Sequence, residues 1–227
     1  MKKYELLLID IDDTLLDFHA DARKALKRTW ESLSLPVKPE LYSMYEDYNA
    51  KLWRRLELGE IGIEDIKKER FRQLIEDTGL SVDPLIMNQL YEERLSQEAT
   101  LMEEVHETMR YLKSKYILIG ASNGIARVQK GRLEASSLRE YFAHSILSED
   151  IGVSKPDADF FNLGLRDYPE VAKEKMLMIG DSLTSDILGA NNYGVDACWI
   201  NREKKERPDD LSVLFEVRFF FEIREFL

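Results

Sequence analysis

Leu6-Leu7-Leu8-Ile9 is an unbroken apolar run that stops abruptly at Asp10-Ile11-Asp12-Asp13-Thr14. A short strand with no polar side is the pattern of parallel sheet buried on both faces. Similar runs recur at Tyr116 to Gly120, Ser145 to Leu147, Met176 to Gly180 and Ala197 to Ile200. Each of these is preceded by a segment of helical character, around 103–114, 125–139, 157–167 and 183–192. Buried strands alternating with helices predict an α/β fold, a doubly wound, Rossmann-like parallel sheet.

The long interval between the first two strands has a different period. Leu41, Met44, Tyr45, Tyr48, Leu52, Trp53 and Leu56 fall at helical spacing until Gly59 and Gly62 interrupt it,. A second amphipathic stretch runs through Ile66, Phe71, Leu74 and Ile75 to Gly79, and a third through Leu85, Leu90 and Leu95. This is too long for a crossover, and it predicts an inserted all-α domain at residues 16–100. Residues 1–15 and 101–227 would then form the core. Helical spacing of Tyr45, Tyr48, Trp53 and Phe71 is first of all the signature of core packing. The loop at 203–210 (EKKERPDD) reads as solvated, and the aromatic stretch Phe215 to Leu227 either closes the core or makes a subunit contact.

Composition narrows the function classes. In 227 residues, 43 acids against 32 Lys and Arg give a formal net charge of −11. That argues against a general nucleic-acid or anionic-membrane surface, both of which need clustered basic residues. No run approaches the roughly 18 apolar residues of a membrane span. The single cysteine, Cys198, has no disulfide partner within the chain and sits in an apolar run, as a buried strand residue would,. No small-residue cleavage site follows the N-terminal apolar run. A cytoplasmic protein, monomer or homodimer, is expected.

The candidate chemistry lies at strand ends. Strand alternation would point Asp10 and Asp12 to one side at the carboxyl edge of the first strand, where open α/β sheets bind ligands. Two carboxylates so close repel unless a cation or a shared proton intervenes, and oxygen donors favour magnesium over zinc. Ser122-Asn123-Gly124 follows the second strand, Lys155 precedes Pro156 at an apparent helix start, and Gly180-Asp181 follows a later strand with Asp186 five residues beyond Asp181. Each segment alone has an ordinary reading as a turn, a helix cap or solvated surface. Their order and placement at strand ends argue for one site.

The four segments, Asp10 to Thr14, Ser122, Lys155 and Gly180 to Asp186, resemble the motifs of the haloacid dehalogenase-like superfamily. The resemblance covers essentially the whole chain, since the helical insertion sits where many members carry an α-helical cap. It implies a magnesium-dependent phosphatase in which Asp10 is the nucleophile, Asp12 the general acid and base, and Lys155 a catalytic cation. Thr14, Ser122, Asn123 and Lys155 would bind phosphate. Asp10, the Asp12 carbonyl, Asp181 and Asp186 would serve the Mg2+ site. The acid at position 12 sides with phosphatases and phosphomutases, because the superfamily's dehalogenases lack it. Trp53, the 58–63 segment (LGEIGI), Arg70-Phe71 and Asn123-Gly124 are similar to YjjG-type pyrimidine 5′-nucleotidases. A small phosphorylated metabolite is therefore expected, with nucleoside monophosphates ahead of sugar phosphates or phosphoglycolate. A sugar phosphomutase, a receiver-type phosphoacceptor and a non-catalytic binding protein are the competing readings. A receiver would carry its phosphorylated aspartate on a later strand and lack the insertion.

Overall fold

The computed structural model describes residues 3–227. Its elements run β1 (Leu6–Ile9), α1 (Phe18–Ser32), α2 (Pro39–Glu57), α3 (Ile63–Glu69), α4 (Arg72–Thr78), α5 (Pro84–Leu95), α6 (Val105–Lys113), β2 (Ile117–Ser122) and α7 (Ala126–Ala135). They continue β3 (His144–Leu147), α8 (Ser148–Ile151), α9 (Ala158–Gly164), β4 (Met176–Gly180), α10 (Leu188–Tyr193), β5 (Asp196–Ile200) and β6 (Phe215–Val217). All strand pairings are parallel and the order is β3-β2-β1-β4-β5-β6, the order of a doubly wound Rossmann-like sheet. Among the described residues no helix is long and apolar enough to cross a membrane.

Alternation along β1 divides its side chains between two cores. Leu7 and Ile9 join Met109, Leu112, Leu133, Cys198 and Phe220 on one face, while Leu6 and Leu8 join Phe160, Phe161, Met178 and Trp199 on the other. Both sides of β1 are thus dry, which is why its sequence has no polar position.

Helices α1 to α5 have a core of their own around Trp30, Tyr45, Phe71, Leu74 and Tyr91, to which Ile125 and Val128 of the α7 region also contribute. Asp17 caps α1 by accepting from Ala20 N at 2.9 Å, and Asp83 caps α5 ahead of Pro84,. The chain leaves and re-enters the sheet along one narrow neck. There Leu16 bridges Leu101, Asp17 N donates to Thr100 O at 2.8 Å, and Met102 N donates to Leu15 O at 2.9 Å.

Three expectations need correction. The second amphipathic stretch is two helices, broken at the Arg70-Phe71 corner. The buried face of α5 is Met87, Asn88, Tyr91, Glu92 and Leu95, whereas Leu85 is exposed; Asn88 Nδ2 satisfies Glu92 at 2.7 Å, so two polar residues occupy core positions. The sheet has a sixth strand, β6, and the aromatic C-terminus closes the core through Phe220 and Ile223. The loop at 203–210 is exposed, and Cys198 lies buried in β5.

Candidate active site

The strand order reverses between β1 and β4, and it is there that an open parallel sheet leaves a crevice at its carboxyl edge,. Asp10 follows β1, Ser122 ends β2 and Asp181 follows β4. A cavity of about 240 Å³ opens over this edge, walled on the other side by Phe18, Trp53, Glu57, Arg70 and Leu95 of the helical insertion. Asp10, Asp12, Ser122, Asn123, Lys155, Asp181 and Asp186 all line it. Thr14 is not among the lining residues. Its fully buried hydroxyl donates to Asp181 Oδ1 at 3.4 Å, so it steadies that carboxylate from behind.

Asp10 and Asp12 reach the same cavity by a turn rather than by strand alternation. The strand ends at Ile9, and Leu15 N and Leu16 N both donate to Ile11 O. Asp13 sits at φ 56° within this turn and accepts from Phe18 N at 3.0 Å, so of the acids in this segment it is the one that forms the turn,.

Lys155 is almost fully buried. Its Nζ donates to Asp10 Oδ1 at 2.8 Å, Asp186 Oδ1 at 2.7 Å and Ala121 O at 2.5 Å. Its backbone is clamped by the Asn123 side chain, which accepts from Lys155 N and donates to Lys155 O, both at 2.8 Å. After β4, a π-helical turn over Leu183–Ile187 brings Asp186 back over the strand end, where its Oδ2 accepts from Ser182 N at 3.1 Å,. Gly180 is required beneath it, since a Cβ there would lie 2.2 Å from Asp186 Oδ2. Oxygens of Asp10, Asp181 and Asp186 come within 4.8 Å of one another.

That crowding perturbs the acids. Burial, then the charge of Asp186, pushes Asp10 up to about 8 against the pull of Lys155. Burial, then Asp10 and Asp186, holds Asp181 well above the usual carboxylate range. Burial alone would lower Lys155, but the charges of Asp10 and Asp186 outweigh it and raise it. A further positive charge beside the three carboxylates would relieve the repulsion, and an all-oxygen donor set suits a hard divalent cation.

Two residues of α7 were missed in the sequence. Gln129 Nε2 donates to Asp12 Oδ2 and, at 3.0 Å, to Ser122 Oγ. Arg132, fully buried, donates to Asp12 Oδ1 and, through its other terminal nitrogen, to Asp21 Oδ2 at 3.0 Å. The only available signal was their spacing of three on a helix that begins just after Asn123-Gly124. Gly124 itself leaves room for Gln129, because a Cβ there would lie 2.7 Å from that side chain.

A family model, the haloacid dehalogenase-like hydrolases, matches residues 4–194. The pyrimidine 5′-nucleotidase PynA of Streptococcus pneumoniae is 35% identical over 215 residues, which is 94% of this chain and 91% of its own. The pyrimidine 5′-nucleotidase YjjG of Escherichia coli is 28% identical over 225 residues, covering 99% of this chain and 98% of its own. A crystal structure of the HAD-hydrolase YfnB of Bacillus subtilis bound to magnesium superposes with a TM-score of 0.92 at 32% identity, over 99% of this chain and 98% of that one. The chain belongs to the haloacid dehalogenase-like hydrolases.

Proposed function

We propose that the protein is a phosphatase that hydrolyses a small phosphoric monoester, a nucleoside monophosphate by preference, with Asp10 as nucleophile. The observation that carries this reading is the meeting of Asp10, Asp12 and Lys155 in one cavity, with Lys155 Nζ 2.8 Å from the Asp10 carboxylate. Asp10 attacks phosphorus in line and forms an aspartyl-phosphate, which splits one hard displacement into two easier ones. Asp12 protonates the leaving oxygen and then takes the proton of the water that cleaves the intermediate. Ser122, the Asn123 backbone and Lys155 bind the nonbridging oxygens, and losing one such donor costs about 3 kcal/mol of transition-state stabilisation by analogy with oxyanion holes. Mg2+ would be held by the Asp10 and Asp181 carboxylates and the Asp12 carbonyl, with Asp186 in support, and would neutralise charge on the phosphoryl group,.

Residues 16–100 act as a cap that excludes bulk water and admits only small substrates. The nucleotidase preference is supported by the named activities of PynA and YjjG and by the aromatic wall of the cavity. The test is phosphate release from nucleotides, sugar phosphates and phosphoglycolate, first with magnesium and then with EDTA. Metal-dependent release that vanishes in Asp10→Asn supports the reading; full activity in that variant overturns the nucleophile, and isomerisation of a sugar phosphate without release would mean a mutase.

A further inference from the structure

Three cationic side chains line the cavity, and two are fully engaged. Lys155 lies between Asp10 and Asp186, and Arg132 between Asp12 and Asp21. Arg70 differs. It is 3% exposed, forms no ion pair among the described residues, and its buried Nε has no hydrogen-bond partner. Its guanidinium carbon lies 5.3 Å from the centroid of Tyr91 and its charge also acts on the buried Tyr45 hydroxyl, contacts between a cation and neutral phenols that offset only part of the cost of burying a charge,.

Its position is held firmly. Arg70 forms the corner between α3 and α4, and the next residue, Phe71, packs between Tyr45 and Tyr91 with ring centroids 5.4 Å from each. Arg70 lines the cavity from the helical insertion, whereas Asp10, Asp12, Asp181 and Asp186 line it from the sheet edge. Beside Arg70 the wall is apolar, made by Phe18, Trp53, Leu95, Ile125 and Val128.

These features specify a ligand chemistry. Six carboxylates line the cavity against three cations, so a second anionic group on the substrate would enter an acid-rich space. A neutral planar ring carries no such cost, packs on the apolar wall, and offers carbonyl oxygens to a planar fork of donors. We propose that Arg70 is a specificity residue that donates to a ring carbonyl oxygen of the leaving group, the 2-oxo group of a pyrimidine nucleotide. This rests on the phosphatase reading above and goes beyond it by assigning the base-recognition role to one side chain. Adenine has no ring carbonyl, so AMP should gain nothing from Arg70.

The experiment compares UMP, AMP, phosphoglycolate and p-nitrophenyl phosphate as substrates of the full chain with magnesium, in wild type, Arg70→Gln and Arg70→Lys. The ratio of kcat/KM for UMP to that for p-nitrophenyl phosphate should fall about tenfold in Arg70→Gln, chiefly through KM, while the AMP ratio holds. Arg70→Lys keeps the charge but not the fork, and should lose most of the same preference; it carries the test if the Gln variant does not fold. Equal losses on all substrates would make Arg70 structural and overturn the proposal. Selective loss on phosphoglycolate would overturn it in favour of a carboxylate subsite. If wild type cleaves p-nitrophenyl phosphate but no nucleotide, the nucleotide preference itself fails, while the phosphatase chemistry stands.

Discussion

Arg132 closes a single guanidinium on two carboxylates, Asp12 beside the nucleophile and Asp21 on α1 of the helical insertion. Asp21 in turn accepts from Thr100 N at 2.9 Å and from Thr100 Oγ1, in the neck segment that leads back to the sheet. Arg132 Nε also donates to Glu98 O at 3.2 Å. The candidate acid and the neck of the insertion are thus tied through one buried side chain.

Removing Arg132 should be costly. Arg132→Gln leaves the buried Asp21 with only the longer ion pair to Lys24, at 3.6 Å, and breaking one side of a buried pair costs up to about 3–5 kcal/mol,. Replacing both by neutral groups, as in Asp21→Asn with Arg132→Gln, should cost less than the two single changes summed. Urea unfolding of the four proteins in a double-mutant cycle reads this coupling. Additive costs would show that the contact carries no coupling energy.

Gly124→Ala should impair activity more than stability. The new Cβ would lie 2.7 Å from Gln129, forcing the amide off Asp12 and Ser122. Misplacing a reacting group by about 1 Å can cost on the order of 100-fold in rate. We expect a fall in kcat of that order with a nearly unchanged urea midpoint; full activity would mean that Gln129 does not position Asp12.

Metal-free protein should lose stability as pH rises. The Asp10 carboxyl is raised from 3.8 to about 8 by burial and Asp186, so the folded state keeps a proton that the unfolded state sheds. Folding then takes up a proton between those values, and stability present below the lower one is lost as pH passes through the upper one. In EDTA the urea midpoint should drop from about pH 5 to pH 8, and Asp10→Asn should have a shallower slope. An identical slope in the variant would place the effect on other groups. Asp181 and Asp13, both raised in the same direction chiefly by burial, contribute to the slope that remains.

What could be read from sequence follows from how each element is stabilised. Strands β1 to β5 were legible because burial on both faces leaves continuous apolar runs, whereas β6 has three residues with its middle one, Glu216, exposed. Helix α2 advertised its period, but nothing in Arg70-Phe71 announces a corner, since neither Gly nor Pro makes it. The true buried face of α5 was hidden because two of its positions are polar, with Asn88 Nδ2 donating to Glu92 inside it. The acids, Ser122, Asn123 and Lys155 stood out because each ends or follows a strand. Gln129 and Arg132 did not, for their chemistry depends on partners far away in the chain, and Arg70 was marked only by the resemblance of its segment, since its lack of an ion pair shows only in the fold.

Thr184 and Glu57 link the two sides of the cavity mouth. Thr184 Oγ1, in the turn after β4, donates to Glu57 Oε2 at 2.8 Å at the end of α2. Glu57 lines the cavity, and its other partner, Arg54, lies at 3.2 Å on the outer side. Thr184→Val keeps the shape and removes the donor, so one direct hydrogen bond between insertion and sheet edge is lost. A hydrogen bond to a charged group contributes about 1.5–3 kcal/mol where both partners are buried, and less at this half-buried mouth. If closure of the insertion over substrate uses this bond, KM should rise several-fold for every substrate alike, without the base selectivity expected of Arg70 variants. Hydrogen exchange at the end of α2 should quicken in the same protein. Unchanged KM and unchanged exchange would show that the contact contributes nothing to closure.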